Sequence, residues 1–146
     1  MVKNKGFTLL ELVVVILIVG VLATLGFTQY GRMVERARGA EARQNIGYMR
    51  KLAAAYRLQN GSVTNIGYSD VNVGSSQDQL PNPCRSSHYF YYCVYGGAVD
   101  PNITLFAYRC SSGGKEPQNT TPGPPRLLLF INFSTGVENW GGTGDY

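Results

Sequence analysis

Residues 7–27 read FTLLELVVVILIVGVLATLGF, a run of 21 residues dominated by Leu, Val and Ile. A helix of about 20 apolar residues crosses a hydrocarbon core roughly 30 Å thick. Two plain readings fit such a run: a secretory signal peptide, or a simple membrane anchor. A signal peptide has a shorter apolar core that ends in a small-residue cleavage site. Here the run leads directly into more helix-forming sequence, and Glu11 lies inside it. A carboxylate within a bilayer costs about 3 kcal/mol or more, so such groups have a partner and a task. A plain anchor gives Glu11 neither.

Upstream of the run, Met1 to Gly6 carries Lys3 and Lys5. The stretch Lys5-Gly6-Phe7-Thr8-Leu9-Leu10-Glu11, after a short basic leader and before an apolar helix, resembles the processing motif of type IV prepilins and of type II secretion pseudopilins. The resemblance covers residues 1 to about 35 in detail and the remainder in layout. It implies that residues 1–6 are a leader, removed by a prepilin peptidase between Gly6 and Phe7 on the cytoplasmic face. The same enzyme class then methylates the new amine of Phe7. Physical chemistry agrees with this scheme. Glycine has no side chain, so the backbone before the cut can enter a narrow protease site. Cleavage creates a cation at Phe7, and in a filament the Glu11 carboxylate can meet the Phe7 amine of a neighbouring subunit. Each charge is costly alone in an apolar core, and removing one strands the other. The implied fold is a lollipop-shaped α+β pilin, with a long N-terminal helix packed on a small antiparallel sheet. The implied partners are identical subunits in a helical filament, the inner membrane before assembly, the prepilin peptidase and the pilus assembly machinery.

Residues 28–60 continue the helix. They hold Arg32, Arg36, Arg38, Arg43, Arg50, Lys51 and Arg57 against Glu35 and Glu41, a net of +5. The positive-inside rule taken alone would keep this segment cytoplasmic, whereas cleavage requires Gly6 there. Ala42, Ile46, Met49, Ala53 and Tyr56 follow a 4-3-4-3 spacing that places them on one face, to pack on the head. Tyr30, Val34 and Ala37 suggest a similar stripe earlier, and arginine is expected on the opposite face. No proline occurs before Pro81, so Gly20, Gly26 and Gly31 are the weak points of the helix. Asn60-Gly61 should end it, because glycine readily takes the left-handed cap.

The head, residues 61–146, has four basic and six acidic groups, a net of −2. The overall formal charge of +4 therefore describes a basic stalk and a nearly neutral head. Residues 61–87 read mainly as a surface loop, rich in Gly, Ser, Asn, Asp and Gln. Three aromatic and β-branched runs follow, His88–Tyr95, Ile103–Ser111 and Arg126–Phe133, with Val137–Trp140 as a short fourth. Asp100-Pro101-Asn102 and Ser134-Thr135-Gly136 supply turns between them. A long loop, 111–125, contains Pro122, Pro124 and Pro125, which favour a stiff extended form.

The chain has three cysteines, Cys84, Cys93 and Cys110, and no CxxC pattern. An exported head allows one disulfide and one leftover thiol. If Asp100–Ile103 is a tight hairpin turn, Cys93 faces Cys110 directly, which is the preferred pairing. If the Gly96-Gly97 stretch widens the loop, Cys84 can reach Cys110 or Cys93 instead.

No nucleophile–base set, paired acidic motif or phosphate loop stands out, so enzyme activity, a cofactor and a small-molecule substrate are not expected. Asp100, Glu138 and Asp145 fall short of the six to eight oxygens that calcium takes, so no metal is expected either. Asn60, Asn102, Asn119 and Asn132 begin glycosylation-type triplets. The preferred reading is a structural pilin subunit, held in the inner membrane as a precursor and then built into an extracellular filament. The alternatives are a type II secretion pseudopilin, or a minor or competence pilin that binds DNA through the arginine face of residues 32–57. Nucleic acid is a weaker expectation, since binding needs cations clustered on one presented face.

Overall fold

The computed structural model describes residues 6–71, 80–95, 98–118 and 125–144. Leader residues 1–5, Gly96-Gly97, Asn119, Pro122, Pro124 and Asp145 lie outside the described residues. One long helix, α1 (Leu9–Asn60), precedes four strands: β1 (Phe90–Val94), β2 (Asn102–Arg109), β3 (Arg126–Asn132) and β4 (Val137–Thr143). The strands form one antiparallel meander in the order β1-β2-β3-β4. The chain falls into two units, Met1–Glu35 and Arg36–Tyr146. The α+β layout expected from the sequence is the observed one.

The helix runs unbroken through Gly20, Gly26 and Gly31. It ends where expected. Gly61 adopts φ +75° and donates its N–H to the Arg57 carbonyl at 2.7 Å, satisfying a carbonyl the helix would otherwise leave open.

In the second unit, Ala42, Ile46, Met49 and Ala53 are fully buried, and Tyr56 packs at their margin. Against them lie the inward residues of the sheet: Phe90 and Tyr92, then Ile103, Leu105 and Ala107, then Leu127, Leu129 and Ile131. Each set alternates along its strand, as a sheet with one covered face requires. The earlier stripe does not join this core. Tyr30 and Ala37 are exposed and only Val34 is half-buried, while the buried face instead begins at Gly39. The connection after the helix also departs from a surface loop. Val63, Ile66, Val71 and Leu80 are buried in the core, and the Tyr68 hydroxyl donates to the Leu80 carbonyl. Isolated apolar residues among Gly, Ser and Asn carry no periodicity, so sequence pattern could not place them.

Three of the arginines are not on the far side of the helix but flank the buried stripe and meet acids of the head. Arg38 pairs with Glu116, Arg50 with Glu138, and Arg57 with Asp100 at 2.8 Å. Arg43 lies over the Trp140 ring, 5.8 Å from its centroid. The Asp100 carboxylate also accepts the Val63 N–H at 3.2 Å. The bond from Arg57 holds the Asp100 carboxyl below the usual carboxylate range.

Arg109, at the end of β2, is 1% exposed although its strand reads as aromatic and apolar. Its guanidinium donates to the carbonyls of Tyr89 at 3.0 Å, Lys115 at 3.2 Å and Glu116 at 2.7 Å. It thereby pins the start of the long β2–β3 loop beside strand β1. A buried cation is tolerated when its donors are used in this way.

The disulfide joins Cys84 to Cys110, and Cys93 is free. This corrects the preferred Cys93–Cys110 pairing. In the observed register Phe90 faces Arg109 and Cys93 faces Phe106. Asp100-Pro101 does turn the chain, with Val99 bridging Asn102, but this turn is nested in a wider connection from residue 95 to 101. The register therefore slips by four residues from the tight-hairpin expectation. The slip is even, so each side chain keeps its face. Cys110 then lies opposite Tyr89, whose carbonyl accepts the Cys110 N–H at 2.9 Å. The segment before β1 brings Cys84 alongside. The loop also needs Gly114: a Cβ there would lie 2.2 Å from the Cys110 Cβ. Cys93 points outward beside a stacked ring row, in which Tyr108 sits 5.2 Å from Tyr91 and 5.4 Å from Phe106. Burial pushes its thiol up, so it stays protonated and unreactive at neutral pH.

The corrected pairing predicts the outcome of cysteine replacement. Cys84→Ser with Cys110→Ser opens a bridge of sequence separation 26 and should cost about 3–4 kcal/mol on the chain-entropy account. Cys93→Ser should cost under about 1 kcal/mol. Denaturant unfolding of the full chain in detergent measures both, and a Cys93–Cys110 peptide in a non-reducing digest would contradict the assignment. Acid titration tests the Arg57–Asp100 pair. A carboxyl depressed in the folded state stabilises above its unfolded pKa of about 3.9 and loses this as pH falls through the folded value. Between pH 5 and pH 2, the melting temperature should therefore fall further for the wild type than for Asp100→Asn. Parallel curves would exclude the contribution.

Candidate processing and assembly site

Gly6, Phe7 and Thr8 lead into α1, and the start of the helix is built by Thr8 and Glu11. Glu11 Oε2 accepts the Thr8 N–H at 2.9 Å and the Thr8 hydroxyl at 2.8 Å. The Thr8 Oγ1 in turn accepts the Glu11 N–H at 3.3 Å. This reciprocal pair is a capping box, in which two backbone donors that a helix start leaves open satisfy each other's side chains. The T-x-x-E pattern ahead of an apolar run is its sequence signature, and reading Glu11 only as an ion-pairing group overlooked it. Both local bonds fall on Oε2. Among the described residues, Oε1 has no partner and no cation pairs with Glu11.

A Cβ at Gly6 would meet nothing among the described residues within 4 Å. Phe7 is 81% exposed. The structure brings Gly6, Phe7 and Glu11 into one short segment and leaves the Phe7 side chain uncovered.

The helix that follows is long and apolar enough to cross a membrane, with a window of mean hydropathy 2.8, none of it buried. Every Leu, Val and Ile from Leu9 to Leu25 is at least 38% exposed. The Thr24 hydroxyl donates to the Val21 carbonyl at 2.8 Å, which satisfies a polar group without water.

The other candidate chemistries are occupied within the head. Of the three carboxylates considered for calcium, Asp100 is held by Arg57 and Glu138 by Arg50. The Asn132 amide donates to Asn102 Oδ1 at 2.9 Å, and Asn132 Oδ1 accepts the N–H groups of Ser134 and Thr135. Asn102 and Asn132, two of the four glycosylation-type asparagines, are thus bonded to each other across β2 and β3, and Asn132 also holds the β3–β4 turn. The arginine face proposed for DNA is largely committed to Glu116, Glu138, Asp100 and Trp140.

Comparison with known proteins bears on the same segment. Residues 1–27 match the family model described as the prokaryotic N-terminal methylation motif. The chain is 39% identical over 105 residues to a probable minor fimbrial protein of Dichelobacter nodosus, covering 72% of this chain and 58% of that protein. A second probable minor fimbrial protein of the same organism is 40% identical over the same coverage. The type IV major fimbrial protein FimA of Dichelobacter nodosus is 39% identical over 72 residues, 48% of this chain and 46% of FimA. The matched region thus spans under two thirds of the length of these relatives. No solved structure matches. The methylation motif thus coincides with the uncovered apolar helix, and beyond it the chain is similar to fimbrial proteins over the regions matched.

Proposed function

We propose that the chain is a structural subunit of a type IV pilus-like filament, stored in the inner membrane and assembled through α1. The observation that carries this reading is the first unit: a helix whose apolar span, none of it buried, lies within the matched methylation motif. Such a surface needs lipid or other subunits around it. Full burial of one Leu, Val or Ile is worth about 1.5–3 kcal/mol, so a dozen of them strongly favour a non-aqueous environment. A bilayer serves before assembly and a bundle of identical helices serves after it.

The leader, residues 1–6, is removed between Gly6 and Phe7, and Phe7 is N-methylated. Residues 7–27 span the membrane and then form the filament core. Residues 28–60 support the head, residues 61–146. Glu11 has two tasks in this scheme. Its Oε2 caps its own helix through Thr8, and its Oε1 is left for the Phe7 amine of a neighbour. Of the arginines beyond the span, which run against the positive-inside tendency, Arg38, Arg43, Arg50 and Arg57 have partners in the folded head. Their ion pairs also weigh against a DNA-binding competence role.

A minor rather than a major subunit is favoured by one observation. The match to the two probable minor fimbrial proteins extends further along this chain than the match to FimA. Quantification of sheared filaments should then find this chain as a small fraction of total pilin, and a dominant band would make it the major subunit.

The two tasks of Glu11 can be separated. Glu11→Gln keeps an acceptor for the capping box but loses the charge, whereas Glu11→Ala loses both. Both variants should be processed normally in the membrane, and both should lower the filament-bound amount at least tenfold. Thr8→Val, which removes only the hydroxyl's part in the cap, should weaken helix initiation by about 1 kcal/mol and leave assembly less affected. Normal filament incorporation of Glu11→Gln would contradict the ion-pair role.

A further inference from the structure

The helix in the second unit has a face that the head does not use. Ala37, Glu41, Tyr48, Lys51, Ala55 and Leu58 are all exposed, Leu58 at 88%. With Gln44 between them, they recur every three or four residues, the 3.5-residue spacing of a helix–helix seam. They lie roughly opposite the buried Ala42, Ile46, Met49 and Ala53, so the helix has two seams: one for its own head and one with no partner among the described residues.

This outer seam is apolar at Ala37, Tyr48, Ala55 and Leu58, and the alanines allow close approach of another backbone. Two charges interrupt it, Glu41 and Lys51. Among the described residues, neither makes an ion pair in its own chain, in contrast to Arg38, Arg50 and Arg57 nearby. They are also opposite in sign and share one face. A single acid and a single base within a seam specify register, because sliding the helices leaves both unpaired. Arg32 and Arg36 do not compete, since their positions on the helix fall well away from this face.

We propose that the outer seam packs against a second copy of this chain, with Glu41 of one subunit paired to Lys51 of another. Ten residues separate the two positions, so parallel helices meeting through this pair are offset by about 15 Å at 1.5 Å per residue. The pair is set far along the helix from Phe7 and Glu11, and gives the head-bearing half its own register device. This inference rests on the filament reading and assigns its subunit contact.

Charge reversal tests it in cells that assemble the wild-type chain. Glu41→Lys and Lys51→Glu should each reduce the filament-bound fraction at least fivefold, and the double reversal should restore it to within twofold of wild type. Both positions are exposed, so the membrane pool and its disulfide should be unchanged in all three variants, which a non-reducing immunoblot checks. In a Cys93→Ser background, Glu41→Cys with Lys51→Cys should give disulfide-linked dimers within filaments. Single reversals that assemble normally, or a double reversal that fails like the singles, would overturn the pairing while leaving the filament reading intact. A wild-type chain absent from every sheared filament would overturn that reading itself.

Discussion

A helix that is apolar on every side has to find a non-aqueous surrounding, and residues 9–27 have none among the described residues of their own chain. The rest of the structure follows from how that surface is housed. Backbone polar groups in hydrocarbon must be satisfied internally, which a continuous helix achieves. The capping box at Thr8 and Glu11 extends this to the helix start, where open donors would otherwise face lipid or a subunit core. A carboxylate that looks out of place in an apolar run is thus partly explained by the backbone beside it. Its remaining oxygen has no partner among the described residues.

Past residue 36 the same helix has a different task. One face, from Ala42 to Ala53, is buried under the sheet, and the arginines at its margins are tied to Glu116, Glu138 and Asp100. Exposed pairs of this kind contribute little stability each. Together with the cation–aromatic contacts at Tyr89, Trp140 and Phe133 they fix which way the head sits on its own helix segment. The Cys84–Cys110 bridge and the buried Arg109 do a similar service for the loop after β2. A subunit that must present a constant surface to its neighbours benefits from a head with few ways to shift.

Much of this was legible in the residues, for physical reasons. Ala42, Ile46, Met49 and Ala53 keep helical spacing, the four strands keep an aromatic and β-branched bias, and Asn60-Gly61 carries the chemistry of a helix stop. What pattern could not supply was anything decided by non-local contact. Asp100-Pro101-Asn102 does make a turn, but one nested in a wider loop, and that four-residue slip changed the partner of Cys110 from Cys93 to Cys84. Nothing in the run Ile103–Ser111 marks Arg109 for burial, and only the loop carbonyls that enclose it explain it. Val63, Val71 and Leu80 sit in polar sequence with no period to mark them as core. At the N-terminus one compact motif points to Gly6, Phe7 and Glu11 as candidates, while the T-x-x-E spacing of Thr8 to Glu11 carries the cap.

The central claim is that this chain leaves the membrane as a processed subunit and enters a filament. Its most direct test is the mass of the N-terminal peptide from this chain in filaments sheared off intact cells. The account predicts a peptide that starts at Phe7 and is heavier by one methyl group. A chain that begins at Met1 or Val2 and is confined to the membrane fraction would contradict it, and would make the protein an anchored one whose Glu11 serves only its own helix.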